Sequence, residues 1–281
     1  MNYRHDFHAG NFADVVKHAT LACIVSYLRE KPAPFRVIDT HAGAGLYDLS
    51  GPQAARSSEW RGGIGRLLKA QFAPEVGDLL SPYLTAVTAL NPDGLKLYPG
   101  SPLLVRAWLR PRDRLIACEL EPRAAAALAR NLATSTRAKA LAIDGWTALA
   151  AYVPPKERRG LVLIDPPYEA PDEFLRLAKA CAEAWRKWAS GIYLLWYPIK
   201  HRSGPESLAK QLKMARIGKL LRAEVTVTKA PAADGLVGTG LIIVNPPWTL
   251  ERNLALLLPA LADCLSLGQG GFRLDWLARE I

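Results

Sequence analysis

Short runs of apolar and β-branched residues recur along the chain, separated by segments with helical periodicity. Several runs, such as residues 161–164, are apolar throughout, as expected for parallel strands covered on both faces. The alternation predicts an α/β protein with a doubly wound, seven-stranded sheet. Strands are predicted at 36–40, 114–118, 139–143, 160–164, 191–197, 222–228 and 239–245. Helices are predicted at 12–30, 122–133, 172–189, 205–217 and 250–267.

The connection between the first two predicted strands is unusually long. Its residues 46–100 are rich in glycine and proline, and a simple crossover between parallel strands needs far fewer residues. We therefore predict an inserted helical subdomain at 46–100, beside the ligand-binding edge of a main domain formed by 1–45 and 101–281.

Charge and cysteine content narrow the class of protein. The 281 residues carry a formal net charge of +10, which suits a phosphate-rich partner, although a merely basic surface is the alternative. The four cysteines lie far apart, so no zinc site, other metal site or redox pair is expected. The start of the chain does not resemble a signal peptide, and no apolar run reaches the roughly 18 residues of a membrane span. These features predict a cytoplasmic protein without a membrane partner.

Acidic residues follow successive strands, where ligands bind in a doubly wound sheet. Gly43 and Gly45 allow a tight turn after the first strand, but Asp48 occupies the third glycine position of the dinucleotide fingerprint. Glu119 follows the second strand and could accept hydrogen bonds from both ribose hydroxyls. Asp144 follows the third strand and could accept a hydrogen bond from the amino group of adenine. A helix cap is the alternative for each acid, but the series predicts a nucleoside pocket.

The fourth predicted strand is followed by Asp165-Pro166-Pro167-Tyr168. The amino group of adenine is a poor nucleophile because its lone pair is delocalised into the ring, so methyl transfer needs acceptors that orient its N–H bonds. Asp165 and a carbonyl of the two prolines could supply them, and Tyr168 could stack on an unpaired base. A rigid strand-to-helix turn is the alternative. A similar tetrapeptide at 245–248 follows the last strand and is predicted to be a structural turn.

Basic and aromatic side chains are concentrated near the amino terminus. Lys17 and His18 lie about one helical turn from Asp14 and could face a carboxylate-bearing ligand or form a solvated helix face. Two basic clusters, 110–114 and 156–159, could widen a nucleic-acid footprint or be solvated surface. The side chains that suit contact with phosphates and an unstacked base, with a frayed terminus as the alternative, are Tyr3, Arg4, His5 and His8.

Six segments together resemble the ribosomal RNA large-subunit methyltransferase J family, over essentially the whole chain. The amino-terminal block is the most specific, whereas the D-P-P-Y tetrapeptide is shared with other amino methyltransferases that act on adenine. The segments are 3–18, 39–45, 98–102, 163–168, 194–198 and 245–248.

The resemblance implies a monomeric bacterial enzyme with a Rossmann-like, class I fold that uses S-adenosylmethionine to methylate N6 of adenine 2030 in 23S ribosomal RNA. It implies Asp165 as the catalytic acceptor and Tyr3 as an RNA contact. His41 stands where many adenine methylases carry an aromatic residue. The cofactor contacts that the resemblance implies are His18, His41, Ser101, Glu119, Asp144 and Gly145. The patterns described above add Lys17, Gly43 and Gly45, and Asp39, within the first predicted strand just before this glycine turn, is a further candidate.

Other functions stay open on the sequence alone. A DNA adenine methylase would use the same pocket chemistry, although no separate helix-turn-helix for DNA is apparent. A protein that binds RNA without catalysis would keep its cellular role after Asp165→Ala. A nicotinamide-dependent oxidoreductase is disfavoured by Asp48 and by the tetrapeptide.

Overall fold

The computed structural model describes residues 5–229 and 235–279. In this part of the chain a large sheet is covered by helices, and a second sheet of two strands lies beside it. The strands are β1 (Arg36–Asp39), β2 (Leu46–Asp48), β3 (Leu97–Pro99), β4 (Arg114–Glu119), β5 (Ala138–Ala142), β6 (Gly160–Ile164), β7 (Ile192–Ile199), β8 (Leu220–Thr226), β9 (Gly238–Val244) and β10 (Gly271–Ala278).

The helices follow the strands in the order expected for an α/β fold. None of the helices in the described residues is both long and apolar enough to cross a membrane. The helices are α1 (Phe12–Glu30), α2 (Pro52–Ser57), α3 (Glu59–Gly62), α4 (Ile64–Leu67), α5 (Pro74–Thr88), α6 (Ser101–Trp108), α7 (Pro122–Leu132), α8 (Gly145–Tyr152), α9 (Glu173–Lys187), α10 (Ser203–Met214) and α11 (Leu250–Leu265).

The order of the main sheet is β10-β8-β9-β7-β6-β1-β4-β5. The five strands from β7 to β5 in this order are parallel, whereas β9 is antiparallel to both β7 and β8, and β10 is antiparallel to β8. The chain runs outward from β1 through β4 to β5 and then returns to β6 on the other side of β1. This reversal opens a crevice at the carboxyl ends of β1 and β6, where doubly wound sheets bind ligands.

The predicted doubly wound α/β fold is confirmed, and the described sheet has eight strands rather than seven. The additional strand, β10, carries Arg273 and Asp275 among its apolar residues and lies at the sheet edge. These polar residues are satisfied by partners, since Asp275 Oδ2 lies 2.8 Å from Nη2 of the buried Arg222 in β8. A strand stabilised by such ion pairs lacks the simple apolar alternation that identifies a strand in sequence. The helices α6 and α8 also lie outside the predicted set, because eight residues carry little periodicity.

The segment 46–100 begins and ends in the two-stranded antiparallel sheet of β2 and β3. Between these strands the chain forms α2, α3, α4 and α5. Tyr83 and Tyr98 of this segment are fully buried and belong to the same hydrophobic core as Val15 and Leu21 of α1. The assignment of 46–100 as an inserted subdomain remains a proposal; its side chains complete the core that also supports α1.

α1 is buried along most of its length and begins at the crevice. The side chain of Asn11 caps the helix by accepting hydrogen bonds from the N–H groups of Ala13 and Asp14, each at 3.0 Å. Such a cap satisfies donors that a helix leaves free in its first turn. The cap thereby fixes the turn that carries Lys17 and His18 to the cavity.

At the amino ends of the parallel strands, opposite the cavity, the fully buried Asp113 links β4 to the end of α1. Its carboxylate accepts hydrogen bonds from the Phe35 N–H at 3.2 Å and from Nε of Arg110 at 2.8 Å. Arg110 donates in turn to the carbonyls of Arg29 and Lys31. Burial favours the protonated acid, but the hydrogen bonds from Arg110 and the chain outweigh it and hold the pKa of Asp113 below its usual value.

We expect Asp113→Ala to lower the free energy of unfolding by about 3 kcal/mol, because the change leaves buried donors without an acceptor. Since folding lowers the pKa of Asp113, its contribution is present above the pKa of the unfolded carboxyl. It is lost as the pH falls through the folded-state pKa. Urea unfolding over a series of pH values measures both effects. The exposed Arg112 provides the control, and Arg112→Ala should change stability by less than about 0.5 kcal/mol. Equal losses in the two variants would contradict this role.

Candidate active site

A cavity of about 690 Å³ lies at the carboxyl ends of the parallel strands. Most residues predicted from the sequence to form the site line this cavity, although they come from distant parts of the chain. They are His5, Lys17, His18, His41, Gly43, Ser101, Glu119, Asp144, Gly145, Asp165, Pro166 and Pro167.

Four other predicted site residues do not line the cavity. Asp39 and Gly45 lie behind its wall, His8 binds Glu59 at 3.0 Å, and Tyr168 packs against neighbouring aromatic rings. The remaining two predicted residues, Tyr3 and Arg4, lie outside the described residues.

The glycine turn after β1 holds the carboxylate of Glu119. Gly43 has φ +60°, and its N–H donates to Oε2 of Glu119 at 2.8 Å. The N–H of Glu121 donates to the other carboxylate oxygen at 2.8 Å. Gly45 has φ +81°, and a Cβ there would meet Leu103 at 2.8 Å. The turn therefore uses one glycine to orient Glu119 and the other to pack against α6.

Asp144 caps α8 and also lines the cavity, and its contact with the amino group of adenine stays a prediction. Its Oδ2 accepts hydrogen bonds from the N–H and the hydroxyl of Thr147, at 2.9 and 3.0 Å. Next to it, the His41 ring packs edge-on against Trp146 at 5.2 Å, and Nδ1 of His41 lies 2.8 Å from the Thr40 hydroxyl. Burial lowers the pKa of His41 to about 4, so this ring is neutral at physiological pH.

Asp39 supports the cavity wall through Ser101. Its fully buried Oδ2 accepts a hydrogen bond from the Ser101 hydroxyl at 2.6 Å, whereas Oδ1 has no partner among the described residues. Burial raises the pKa of Asp39 to about 7, and the nearby charge of Asp165 acts in the same direction. The structure thus places Ser101 at the cavity and Asp39 in support of it.

The buried ammonium group of Lys17 joins α1 to the tetrapeptide. Its Nζ lies 2.5 Å from Oδ2 of Asp165 and 2.9 Å from Oδ1 of Asp14. Asp14 also accepts hydrogen bonds from the Gly10 N–H at 2.9 Å and from Nε2 of His5 at 3.1 Å. Burial favours the neutral amine, but the two carboxylates outweigh it and keep the pKa of Lys17 above its ordinary value. Lys17 is therefore a charged partner of Asp165.

His18, the next residue of α1, forms a different kind of contact. Its Nδ1 lies 2.7 Å from the hydroxyl of Tyr98, which lies 2.8 Å from the hydroxyl of Tyr83. Its other ring nitrogen, Nε2, is buried and has no partner among the described residues. Burial lowers the pKa of His18 to about 3. The His18 ring that lines the cavity is therefore neutral, and its Nε2 has no hydrogen-bond partner among the described residues.

The tetrapeptide follows β6, whose residues are all buried. Asp165 and both prolines line the cavity, whereas Tyr168 has φ +53° and donates its hydroxyl to the Trp196 carbonyl at 2.7 Å. The Tyr168 ring lies 4.8 Å from that of Phe174. These contacts hold Tyr168 beside the cavity, and its stacking on a target base stays a prediction.

The second tetrapeptide begins at Asn245, directly after β9. Because β9 runs antiparallel to β7, this turn lies at the amino ends of the parallel strands, opposite the cavity. The Asn245 side chain donates to the carbonyls of Ala189 and Gly191, at 2.6 and 2.8 Å. These bonds close a turn far from Asp165.

Several residues that line or support the cavity are missing from the sequence prediction. Arg176 of α9 lies over the Trp146 ring, 4.9 Å from its centroid, and Glu173 of the same helix is buried. Glu173 and Arg176 lie three residues apart on the helix after the tetrapeptide, and this spacing is the sequence signal that could have identified them. Asp14 has the same spacing from Lys17. Among the described residues, no group of acidic, histidine and cysteine side chains could hold a metal ion.

The fold and the cavity define an α/β protein whose cavity lies at the switch point of its sheet, the position at which sheets of this kind bind ligands. Comparison with protein families then gives the particular family. The model described as "Ribosomal RNA large subunit methyltransferase D, RlmJ" matches residues 32–278. The chain belongs to this ribosomal RNA large subunit methyltransferase family.

Individual relatives agree with the family over the full length of the chain. It is 38% identical to "Ribosomal RNA large subunit methyltransferase J" of Escherichia coli strain K12 and 37% identical to the protein of the same name in Haemophilus influenzae. Both alignments cover 100% of each chain. The crystal structure of protein LPL1258 from Legionella pneumophila superposes with a TM-score of 0.88 at 33% identity, over 96% of this chain and 98% of that one.

The cofactor of this methyltransferase family is S-adenosylmethionine, and the cavity fits it. The carboxylate of Glu119 is held in place by backbone N–H groups, as a ribose acceptor requires. Nε2 of His18 is a buried polar atom without a partner among the described residues. Gly145 lies so close to the Thr40 carbonyl and the His41 ring that a side chain would intrude on the cavity wall.

We expect Gly145→Ala to weaken binding of S-adenosylmethionine by about tenfold, an effect of about 1.4 kcal/mol, because its Cβ would come within 2.8 Å of Nε2 of His41. Isothermal titration calorimetry measures the affinity. Gly77→Ala in α5 is the matched control, since nothing lies within 4 Å of the added Cβ. If Gly145→Ala and Gly77→Ala bind the cofactor equally well, Gly145 has no part in shaping the pocket.

Proposed function

We propose that this protein transfers the methyl group of S-adenosylmethionine to N6 of an adenine in 23S ribosomal RNA, at adenine 2030. Its family membership gives the coarser statement that it is a ribosomal RNA methyltransferase. We further propose that it acts in the cytoplasm as a monomer. The observation that carries the proposal is the Asp165-Pro166-Pro167 edge of the cavity, which meets the pocket proposed for the cofactor.

In this proposal the cofactor lies on the β1–β4–β5 side of the cavity. Glu119 would accept hydrogen bonds from the ribose hydroxyls, and Asp144 would accept one from the adenine amino group. His18 and Ser101 lie at the end of the cavity that α1 and α6 form. His41 and Gly145 complete the wall between these groups. When bound, S-adenosylmethionine supplies an electrophilic methyl group on its sulfonium.

Asp165 orients the target nitrogen. Since Lys17 engages its Oδ2, Oδ1 is the oxygen that accepts an N–H of the adenine amino group. A carbonyl of Pro166 or Pro167 accepts the second N–H, because neither proline carries a competing N–H donor. The positive charge that develops on this nitrogen is stabilised by the fixed carboxylate. Lys17 holds that carboxylate in position and balances its charge before the substrate enters.

The RNA approaches from the side of β7. Lys200 follows this strand directly, is exposed, and lies near enough to His8 for its charge to oppose the rise in the pKa of His8 caused by the hydrogen bond to Glu59. No ion pair of Lys200 occurs within the described part of the chain, so its ammonium group is available to a phosphate. His5 lines the cavity on the same side, between Lys200 and His8 and the candidate active site.

The two basic clusters considered from sequence, 110–114 and 156–159, precede β4 and β6 and so lie at the amino ends of the parallel strands, away from Asp165. Arg110 and Arg159 donate to carbonyls around the end of α1, including that of Ala33. Arg36, beside them, is paired with Glu157 at 2.8 Å. These guanidinium groups join β1, β4 and β6 to the preceding chain, so we leave 110–114 and 156–159 out of the RNA footprint.

Methyl transfer from labelled S-adenosylmethionine to protein-free 23S ribosomal RNA, compared with duplex DNA, tests the proposed activity. N6-methyladenosine from the RNA alone is the expected product, and mapping then locates the nucleotide. Label in DNA, or in another base of the RNA, would overturn the proposed substrate. Size-exclusion chromatography with light scattering tests the monomeric state.

We expect Asp165→Ala to lower kcat by at least about 100-fold, because it removes the acceptor at the reacting nitrogen. The affinity for S-adenosylmethionine should change by less than about threefold, since Asp14 still balances the charge of Lys17. Single-turnover kinetics and calorimetry separate the two effects. The exposed Asp172 lies on the same connection and gives the control variant Asp172→Ala. Parallel losses of turnover and cofactor binding would contradict the assigned role.

We expect Lys200→Ala to weaken RNA binding and to reduce the slope of log affinity against log salt by about 1, as for one lost phosphate contact. Lys156→Ala, near the amino ends of the parallel strands, is the charge-matched control because Lys156 is also exposed. Filter binding over a range of salt concentrations measures both slopes. The proposed direction of approach is wrong if Lys156→Ala has the larger effect.

A further inference from the structure

A buried chain of hydrogen bonds runs from the segment 46–100 to the cavity. Tyr83 of α5 and Tyr98 of β3 are fully buried, and their hydroxyl oxygens lie 2.8 Å apart. The Tyr98 hydroxyl lies 2.7 Å from Nδ1 of His18. The chain ends at Nε2 of His18, which has no partner in the described part of the protein although the ring lines the cavity.

The direction of the hydrogen atoms follows from the available acceptors. Among residues 5–229 and 235–279, the Tyr98 oxygen is the one acceptor for the Tyr83 hydroxyl hydrogen. When Tyr98 accepts from Tyr83, its own hydrogen points to Nδ1 of His18. Each direction leaves one buried donor without an acceptor among the described residues. The reverse direction leaves it on Tyr83, which does not line the cavity, whereas this direction leaves it on His18, which does, so that a bound ligand can supply the acceptor. Nδ1 is therefore the acceptor in this chain.

The position of the ring hydrogen follows from the charge of His18. Burial lowers the pKa of His18 to about 3, so the ring is neutral and carries one N–H. Because Nδ1 accepts a hydrogen bond, that hydrogen is on Nε2. Nε2–H is thus a buried donor beside the cavity that lacks an acceptor within the described residues.

We propose that Tyr98, oriented by Tyr83, fixes His18 as the Nε2–H tautomer and so makes it a neutral donor to the carboxylate of bound S-adenosylmethionine. This inference rests on the proposed function and adds the identity of the recognised group. A carboxylate is an acceptor, whereas the ammonium group of the same ligand offers donors only. Tyr98 is a positioning residue, since it acts through His18.

The tautomer is measured by long-range ¹H–¹⁵N NMR on protein labelled with ¹⁵N-histidine, without ligand or RNA. The chain has five histidines, and the signals of His18 are those lost in His18→Gln. We expect a protonated Nε2 and an unprotonated Nδ1. A protonated Nδ1 would overturn the proposal. Because this measurement requires no methyl transfer, its outcome is independent of whether the proposed substrate is correct.

The recognised group is identified with Tyr98→Phe and two ligands, S-adenosylmethionine and its decarboxylated analogue. Loss of the hydroxyl removes the donor to Nδ1, so the affinity for S-adenosylmethionine should fall about tenfold or more. The affinity for the decarboxylated analogue should change by less than about threefold. Equal losses for the two ligands, or no loss for either, would overturn the proposal.

Tyr193→Phe is the matched control for this substitution. Tyr193 is also fully buried, and its hydroxyl donates to the carbonyls of Ala184 and Trp188, both at 3.0 Å and away from the cavity. The control should keep the wild-type affinity for both ligands. A wild-type protein that shows the Nε2–H tautomer but binds neither ligand would instead refute the proposed function.

Discussion

A lysine ammonium group lies out of water between carboxylates from two separate parts of the chain. Asp14 comes from the first turn of α1 and Asp165 from the end of β6, and Lys17 binds both. A buried charge is tolerated only where its partners are held in good geometry, and removal of one partner leaves the others uncompensated. The Asn11 cap, the register of β6 and the proline turn must therefore all be correct before the site can close. This constraint makes the amino-terminal helix part of the candidate active site.

The sequence predicted the fold well where the physical signal was local. The apolar strand 161–164 and the acids after β4, β5 and β6 are placed by parallel-sheet geometry alone, and they do converge on one cavity. The edge strand β10 was missed because Asp275 and Arg273 are paired with residues elsewhere in the chain, Arg222 and Glu206 respectively. Pairing of this kind depends on tertiary structure and leaves no trace in the periodicity of a strand.

The candidate site shows the same division between local and tertiary signals. Positions next to strand ends could be listed from sequence, whereas the partners of their side chains could not. Lys17 was predicted to face a ligand or to form a solvated helix face; it lines the cavity, and its partners Asp14 and Asp165 could not be inferred from sequence. The stacking of Tyr168 on a base stays a prediction, whereas the hydrogen bond from its hydroxyl to the Trp196 carbonyl could not be inferred from sequence. The buried tyrosines behind His18 carry no motif that would suggest a role, because they act through distances that only the folded chain defines.

The place of His5 at the wall of the cavity has a practical consequence for handling the protein. His5 binds Asp14 and lines the cavity, so a purification tag fused ahead of it would be joined to the chain within a few residues of the cavity wall. The far end of the described chain is a better attachment point. Ala278 ends β10, which is separated from β6 in the sheet by β8, β9 and β7.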